Sequence, residues 1–245
     1  MSGMILSFLL AAVPTIIAIT LHEAAHGYAA LAMGDDTARQ AGRLSLNPLV
    51  HVDRVGTILL PGFLLLSQLA TIGHVAFMFG WAKPVPVSAW RFRDPRRGMM
   101  VVAAAGPAMN FLLAWIGALL LYALPLLPVA ALPSALTFLA YFMLANIVLG
   151  LFNLLPIPPL DGGRIMVGLL PEAAARAWAR LERAGIVIVL LVVFLLPAVL
   201  REFGIAFNPV SALLAATADP VLRAVLALAG HPTAGMALFG DGPDI

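Results

Sequence analysis

Apolar runs recur from one end of this sequence to the other, at Met4 to Met33, Thr57 to Phe79, Met99 to Leu127, Leu132 to Leu155, Ile186 to Leu200 and Val210 to Leu228. About 20 apolar residues in a helix cover the hydrocarbon core of a bilayer, so each run reads as a membrane helix or a piece of one. No long polar block separates them. The pattern predicts an all-α polytopic membrane protein of about five to six membrane segments, with a re-entrant or extended element between the first and second core helices. It also predicts one compact membrane-embedded domain over residues 1–245, with no regulatory module appended.

Hydrophobic residues make up 62% of the 245 positions and charged residues 11%, against about 25% charged in an ordinary soluble domain. The absence of cysteine excludes a disulfide framework, a thiolate nucleophile and any cysteine-ligated metal, so metal ligands must come from His, Asp and Glu. The net charge is only +2, and the basic residues lie in loops between apolar runs, where they set topology. Nucleic-acid binding is therefore not expected. The start of the chain is not a signal peptide on this reading, because the first Lys or Arg is Arg39 and the apolar region carries a His-Glu-His cluster.

Twelve of the fourteen Lys and Arg residues fall within Arg39 to Arg54, Lys83 to Arg97 and Arg164 to Arg183. The positive-inside rule places all three stretches on the cytoplasmic side of the cell membrane. Thr57 to Phe79 then starts and ends on one side, so it is expected to dip in and return, with interruptions at Pro61-Gly62 and Gly73-His74. An ordinary tilted helix with one misplaced basic loop is the alternative. Gly80 to Val87, with Pro84 and Pro86, reads as extended chain, because a residue preceding proline is pushed out of the helical region. Asp219-Pro220 and Arg223 are expected to break the last run, which then lies at the interface rather than spanning. The tail from Gly240 to Ile245 is expected to be disordered.

Within the first run stands His22-Glu23-Ala24-Ala25-His26. On a helix, positions four apart are separated by about 40° around the axis and about 6 Å along it, so both histidines point the same way and can share one ion. Glu23 is then beside the ion without ligating it, where a general base takes a proton from a zinc-activated water. Two histidines and a glutamate inside an apolar span cost several kcal/mol unless they have partners or a function. A polar cluster between helices is the other reading.

Catalytic zinc takes three protein ligands and keeps a fourth position open. Asp161 is the outstanding third candidate, lying in Asn153-Leu154-Leu155-Pro156-Ile157-Pro158-Pro159-Leu160-Asp161-Gly162-Gly163. Its prolines cannot continue a helix and its glycines permit tight turns, so a helix arriving at Leu155 opens into extended chain. Inside a membrane such a break is tolerated beside a polar cavity or a bound partner. A surface turn with a solvated Asp is the alternative. His22 and His26 lie toward the cytoplasmic end of their span and Asp161 precedes a basic stretch, so the three can meet at one depth. His51 and His74 are weaker metal candidates, read as loop or hairpin histidines, and His231 falls in the polar tail.

These residues make the chain resemble the site-2 protease family of intramembrane zinc metalloproteases. His22-Glu23-Ala24-Ala25-His26 is similar to its metal-binding helix, and Asn153 with Leu160-Asp161-Gly162 to the motif supplying the third ligand. Gly42-Arg43-Leu44-Ser45-Leu46-Asn47-Pro48, Gly80-Trp81-Ala82-Lys83-Pro84-Val85-Pro86-Val87 and Gly106-Pro107-Ala108-Met109-Asn110 resemble stretches recurrent in its compact bacterial members, which lack the PDZ or CBS module of many relatives. The resemblance implies one Zn2+ per chain held by His22, His26 and Asp161, with Glu23 activating water and Asn153 holding the substrate or the developing oxyanion. It implies a membrane-protein substrate cleaved within a transmembrane helix near the cytoplasmic face. The catalytic core then occupies 1–168 and C-terminal membrane segments occupy 184–230.

A hydrogen bond between helices is nearly as good a reading of Asn153, and the better one of Asn110 and Asn146. A substrate helix must unwind before its peptide bond is attacked, so Lys83 to Val87 or Gly42 to Leu46 is expected to pair with it by strand addition. Two other readings use the same ligands without hydrolysis, a membrane metal carrier or transporter and an inactive scaffold. The former calls for several intramembrane carboxylates along a path and for internal symmetry, neither of which the sequence contains.

Overall fold

The computed structural model describes residues 2–71, 73 and 80–232, and every regular element among them is helical. In chain order these are α1 (Ser2–Ala32), α2 (Thr37–Gln40), α3 (Leu60–Thr71), α4 (Pro95–Leu120), α5 (Leu132–Asn153), α6 (Asp161–Leu169), α7 (Glu172–Arg180), α8 (Gly185–Leu190), α9 (Leu196–Glu202) and α10 (Pro209–Leu228). Among the described residues, six stretches are long and apolar enough to cross a membrane: Ile5–Ala32, Arg54–Thr71, Pro95–Leu126, Val129–Asn153, Glu172–Glu202 and Pro209–Leu228. The chain is a multi-pass membrane protein.

Helices α1, α4 and α5 form the centre. Lipid is as apolar as leucine, so burial alone does not bring membrane helices together; small residues do, by letting backbones approach. The buried seams accordingly carry Ala18, Ala24 and Ala30 of α1 and Ala103, Ala114 and Ala118 of α4. Helix α10 closes on this centre, with Leu222, Val225 and Leu226 packed among Ala114, Met143 and Ile147. The start of α4 is fixed by Asp94, whose side chain accepts from the N–H groups of Arg96 and Arg97, and by Pro95 in the first turn.

Pro61-Gly62 does not interrupt its run, contrary to the sequence-based expectation. A π-helical turn over Arg54–Leu59 passes directly into α3. A second π turn, Leu191–Leu195, precedes Pro197 in the same way. Wider turns shift bonding from the fourth to the fifth residue, which brings the carbonyl left unpaired by a proline within reach of the next N–H. The expected break at Asp219-Pro220 is likewise corrected. Helix α10 runs unbroken through Pro220, and Asp219 pairs with Arg223 one turn on at 2.8 Å, the spacing at which opposite charges support a helix.

The two flanks of the run from Thr57 lie together. Trp81 N–H donates to the Gly56 carbonyl at 3.1 Å, and the Thr57 hydroxyl to the Trp81 carbonyl at 2.9 Å. Residues 72 and 74–79, with His74 and Phe79, lie outside the described residues, as does the tail from Gly240 to Ile245. The three basic stretches lie at one end of the helix assembly, each bonded to neighbouring loops or helix ends. Arg91 pairs with Asp36, Arg43 donates to the Val50 and Lys83 carbonyls, and Arg96 donates to those of Val167, Gly168 and Leu170.

Candidate metal centre

One helical turn apart on α1, the His22 and His26 rings meet edge-on with centroids 4.7 Å apart. The chain brings Asp161 to them: its Oδ2 lies 3.1 Å from His22 Nε2 and 3.4 Å from His26 Nε2, while the two Nε2 atoms are 3.1 Å apart. Ligands bound at about 2.0–2.2 Å around a tetrahedral ion sit about 3.3–3.5 Å from one another. The triangle, with edges of 3.1, 3.1 and 3.4 Å, comes close to that spacing. Side-chain exposures of 6%, 12% and 9% for His22, His26 and Asp161 leave little water to compete.

Protons on the rings are set from outside the triangle. His26 Nδ1 lies 2.7 Å from the Val102 carbonyl, which can only accept, so the proton is on Nδ1 and Nε2 faces inward as a lone pair. His22 Nδ1 lies 2.6 Å from Asn110 Oδ1 and takes the same tautomer. Two imidazole lone pairs and a carboxylate oxygen thus converge with no donor among them, and Asp161 Oδ2 is buried without a hydrogen-bond partner. One added proton would pair a single ring with Asp161 and leave the other lone pair without a donor of its own, and two would put imidazolium nitrogens 3.1 Å apart. A cation resolves the arrangement, and the donor set of two imidazoles and a carboxylate fits zinc.

Local sequence explains how each ligand arrives. After α5 ends at Asn153, Pro156, Pro158 and Pro159 hold the chain in a turn until Asp161 opens α6. A side chain at Gly162 would collide with the Leu154 and Leu155 carbonyls, so glycine lets α6 begin against that turn. Arg96 fastens the far end of α6 to α4. Across the site, a Cβ at Gly106 would lie 2.5 Å from His26 Cε1 and 2.6 Å from His22 Cε1, so only glycine lets α4 approach both rings. Gly106→Ala is expected to lower zinc affinity by about 10–100-fold, the equivalent of the 1–3 kcal/mol that overpacking costs, as read by chelator competition.

Glu23 is held by a strap of extended chain. Lys83 N–H donates to the His51 carbonyl at 2.8 Å, Val85 N–H to Glu23 Oε2 at 3.2 Å, and Ser88 N–H to Asp35 Oδ2 at 2.6 Å. Asp35 is fully buried and also accepts from the Thr37 N–H and hydroxyl. Burial pushes its carboxyl up, but these bonds from Thr37 and Ser88, with the Arg91 charge, outweigh that and hold it below its usual value. It therefore stays ionised at neutral pH and keeps the strap latched to the end of α1.

The Asn153 amide donates to the Leu149 carbonyl of its own helix at 3.0 Å rather than to a residue of the triangle. His51 is a buried loop residue bonded to the Ser45 carbonyl at 2.9 Å, and His231 lies against Tyr122 with ring centroids 4.1 Å apart. Sequence reasoning missed what touches the ligands from behind. Asn110 and Asn146 were read as hydrogen-bonding between helices, and they do bond to each other at 2.9 Å, but the contact of Asn110 with His22 was not expected; the Val102 carbonyl and the Val85 N–H have no side-chain signal at all.

The family profile "Peptidase family M50" matches residues 128–197, which include Asp161 and Asn153. Three relatives are described as "Putative zinc metalloprotease". YwhC of Bacillus subtilis (strain 168) is 41% identical over 186 residues, covering 74% of this chain and 78% of the relative. Rip2 of Mycobacterium tuberculosis (strain ATCC 25618 / H37Rv) is 34% identical over 186 residues, covering 74% of this chain and 65% of the relative. Rip2 of Mycolicibacterium smegmatis is 32% identical over 197 residues, covering 80% and 70%. No solved structure matches the chain.

Proposed function

The chain belongs to peptidase family M50, the site-2 protease family of zinc metalloproteases, and on that premise we propose that it cuts membrane-bound substrates within their transmembrane segments. The observation that carries the reading is the triangle of lone pairs: His22 Nε2, His26 Nε2 and Asp161 Oδ2, buried together in a helix assembly built for lipid. One zinc held there supplies Lewis acidity, making water acidic enough to act as a nucleophile near neutral pH.

Glu23 takes the proton of the attacking water. One carboxylate oxygen accepts from Val85 N–H, which leaves the other for that proton. Asn153, one helix end away from Asp161, would turn its amide from Leu149 to the substrate or the developing oxyanion. The substrate must arrive unwound, and an extended segment beside Glu23 supports strand pairing as the way of holding it. Along Lys83 to Val87 the amides at 83 and 85 are already bonded inward, and Pro84 and Pro86 have none. Arg43 also reaches the Lys83 and Pro84 carbonyls, and in Gly42 to Leu46, which contains no proline, the amides at 42 and 43 donate to Arg39 and Ala38, so either segment can offer a substrate only part of its edge.

By the positive-inside rule, the end at which the three basic stretches lie faces the cytoplasm, and the site opens toward it. Cleavage there would release a cytoplasmic fragment, as regulated intramembrane proteolysis requires. Removing zinc from the purified protein by chelation is expected to stop cleavage of a single-span substrate, and zinc at one equivalent to restore it. Undiminished cleavage in the metal-free protein would sink the proposal.

A further inference from the structure

Behind the metal triangle runs a ladder of buried amides that joins three helices. Asn146 on α5 donates to the Phe142 carbonyl at 2.8 Å. Asn110 on α4 donates to Asn146 Oδ1 at 2.9 Å and to the Ala18 carbonyl of α1 at 3.3 Å. The oxygen of Asn110 then faces His22 Nδ1 at 2.6 Å. Both asparagines are fully buried.

The direction of every bond follows from the two ends. Phe142 and Ala18 present carbonyls, which only accept, so each must face an amide N–H. Asn146 must therefore turn its oxygen toward Asn110, and Asn110 must turn its oxygen toward His22. An amide oxygen cannot donate, so His22 Nδ1 has to carry the proton and Nε2 is left as the ligating lone pair. A bond between helices would need none of this polarity.

We propose that Asn110 is a positioning residue of the metal centre, selecting the tautomer and ring orientation of His22, and that Asn146 fixes the Asn110 amide. This rests on His22 being a zinc ligand. Groups that orient a ligating histidine from behind typically contribute 10–100-fold in metal affinity. Asn110 is thus a specific requirement for zinc binding, separable from its contribution to helix packing.

The test is zinc affinity of the full chain in detergent, by chelator competition, with the visible spectrum of the cobalt-substituted protein as a second readout. Asn110→Leu removes the acceptor and is expected to weaken zinc about 10–100-fold and to alter the cobalt spectrum. Asn110→Asp breaks the same bonds to Asn146 and Ala18 but still accepts from His22, so it should hold zinc within about threefold of the unmodified protein. Asn146→Leu leaves the acceptor unpinned and should fall between them. Equal affinity in all three variants, or equal loss in Asn110→Leu and Asn110→Asp, overturns the proposal. If Asn110→Leu does not fold, the other two decide: Asn110→Asp must bind zinc more tightly than Asn146→Leu. Zinc binding that survives His22→Ala unchanged would instead remove the metal site itself, which is a different failure.

Discussion

Glu23→Gln is expected to reduce cleavage by about 10²–10⁴-fold, the usual contribution of a general base, while zinc stays bound at one per chain. The substitution isolates the proton-accepting role. Gln has the same shape, and its carbonyl still accepts the Val85 N–H that Glu23 receives at 3.2 Å, so the strap keeps its hold on α1. What is lost is a group able to take a proton from water. His22, His26 and Asp161 keep their geometry, because none of their bonds runs through Glu23. Cleavage by the Gln variant at the unmodified rate would remove Glu23 from the mechanism.

Asp161→Ala is expected to lose both zinc and activity. Binding of about 10–16 kcal/mol shared among four ligands makes each worth about 3 kcal/mol, so the two histidines alone should hold zinc on the order of a hundredfold more weakly. The loss has an electrostatic part as well. Asp161 is the one carboxylate of the triangle, and without it a dication would face two neutral rings at low dielectric. Cleavage should fall in proportion to occupancy and recover in part at high zinc. A variant that retains zinc at one per chain with unmodified affinity would place the third ligand elsewhere. The contrast between the two substitutions is diagnostic: Gln at 23 separates chemistry from metal binding, and Ala at 161 removes them together.

The residues of the triangle were legible because each rests on something local. His22 and His26 share a face by helical spacing, and Asp161 stands out as a carboxylate in a proline-broken apolar segment. That they meet followed from depth and loop charge, the argument by which the two flanks of Thr57 to Phe79 were expected on one side; Trp81 is bonded to Gly56. Asn110 was legible as a bond between helices, but which groups stand behind the ligands was not. Asn110 lies 88 residues from His22, and Val102 lies 76 from His26. Which face of α4 meets α1 depends on packing at Gly106, which no periodicity in the sequence reports. Prolines misled in two places. Pro61 sits where a π turn absorbs its missing N–H, and Pro220 stays in a helix whose Asp219 and Arg223 pair one turn apart.

The central claim is that water, zinc and Glu23 cut a peptide bond inside the membrane. Its most direct test is to reconstitute the protein in vesicles with a single-span substrate and determine both fragment masses. The expected result is a cut within the apolar span, toward the end nearest its cytoplasmic flank, made by the unmodified protein and absent with Glu23→Gln although that variant carries zinc. A cut confined to a water-exposed loop, or fragments produced equally by both proteins, would contradict it.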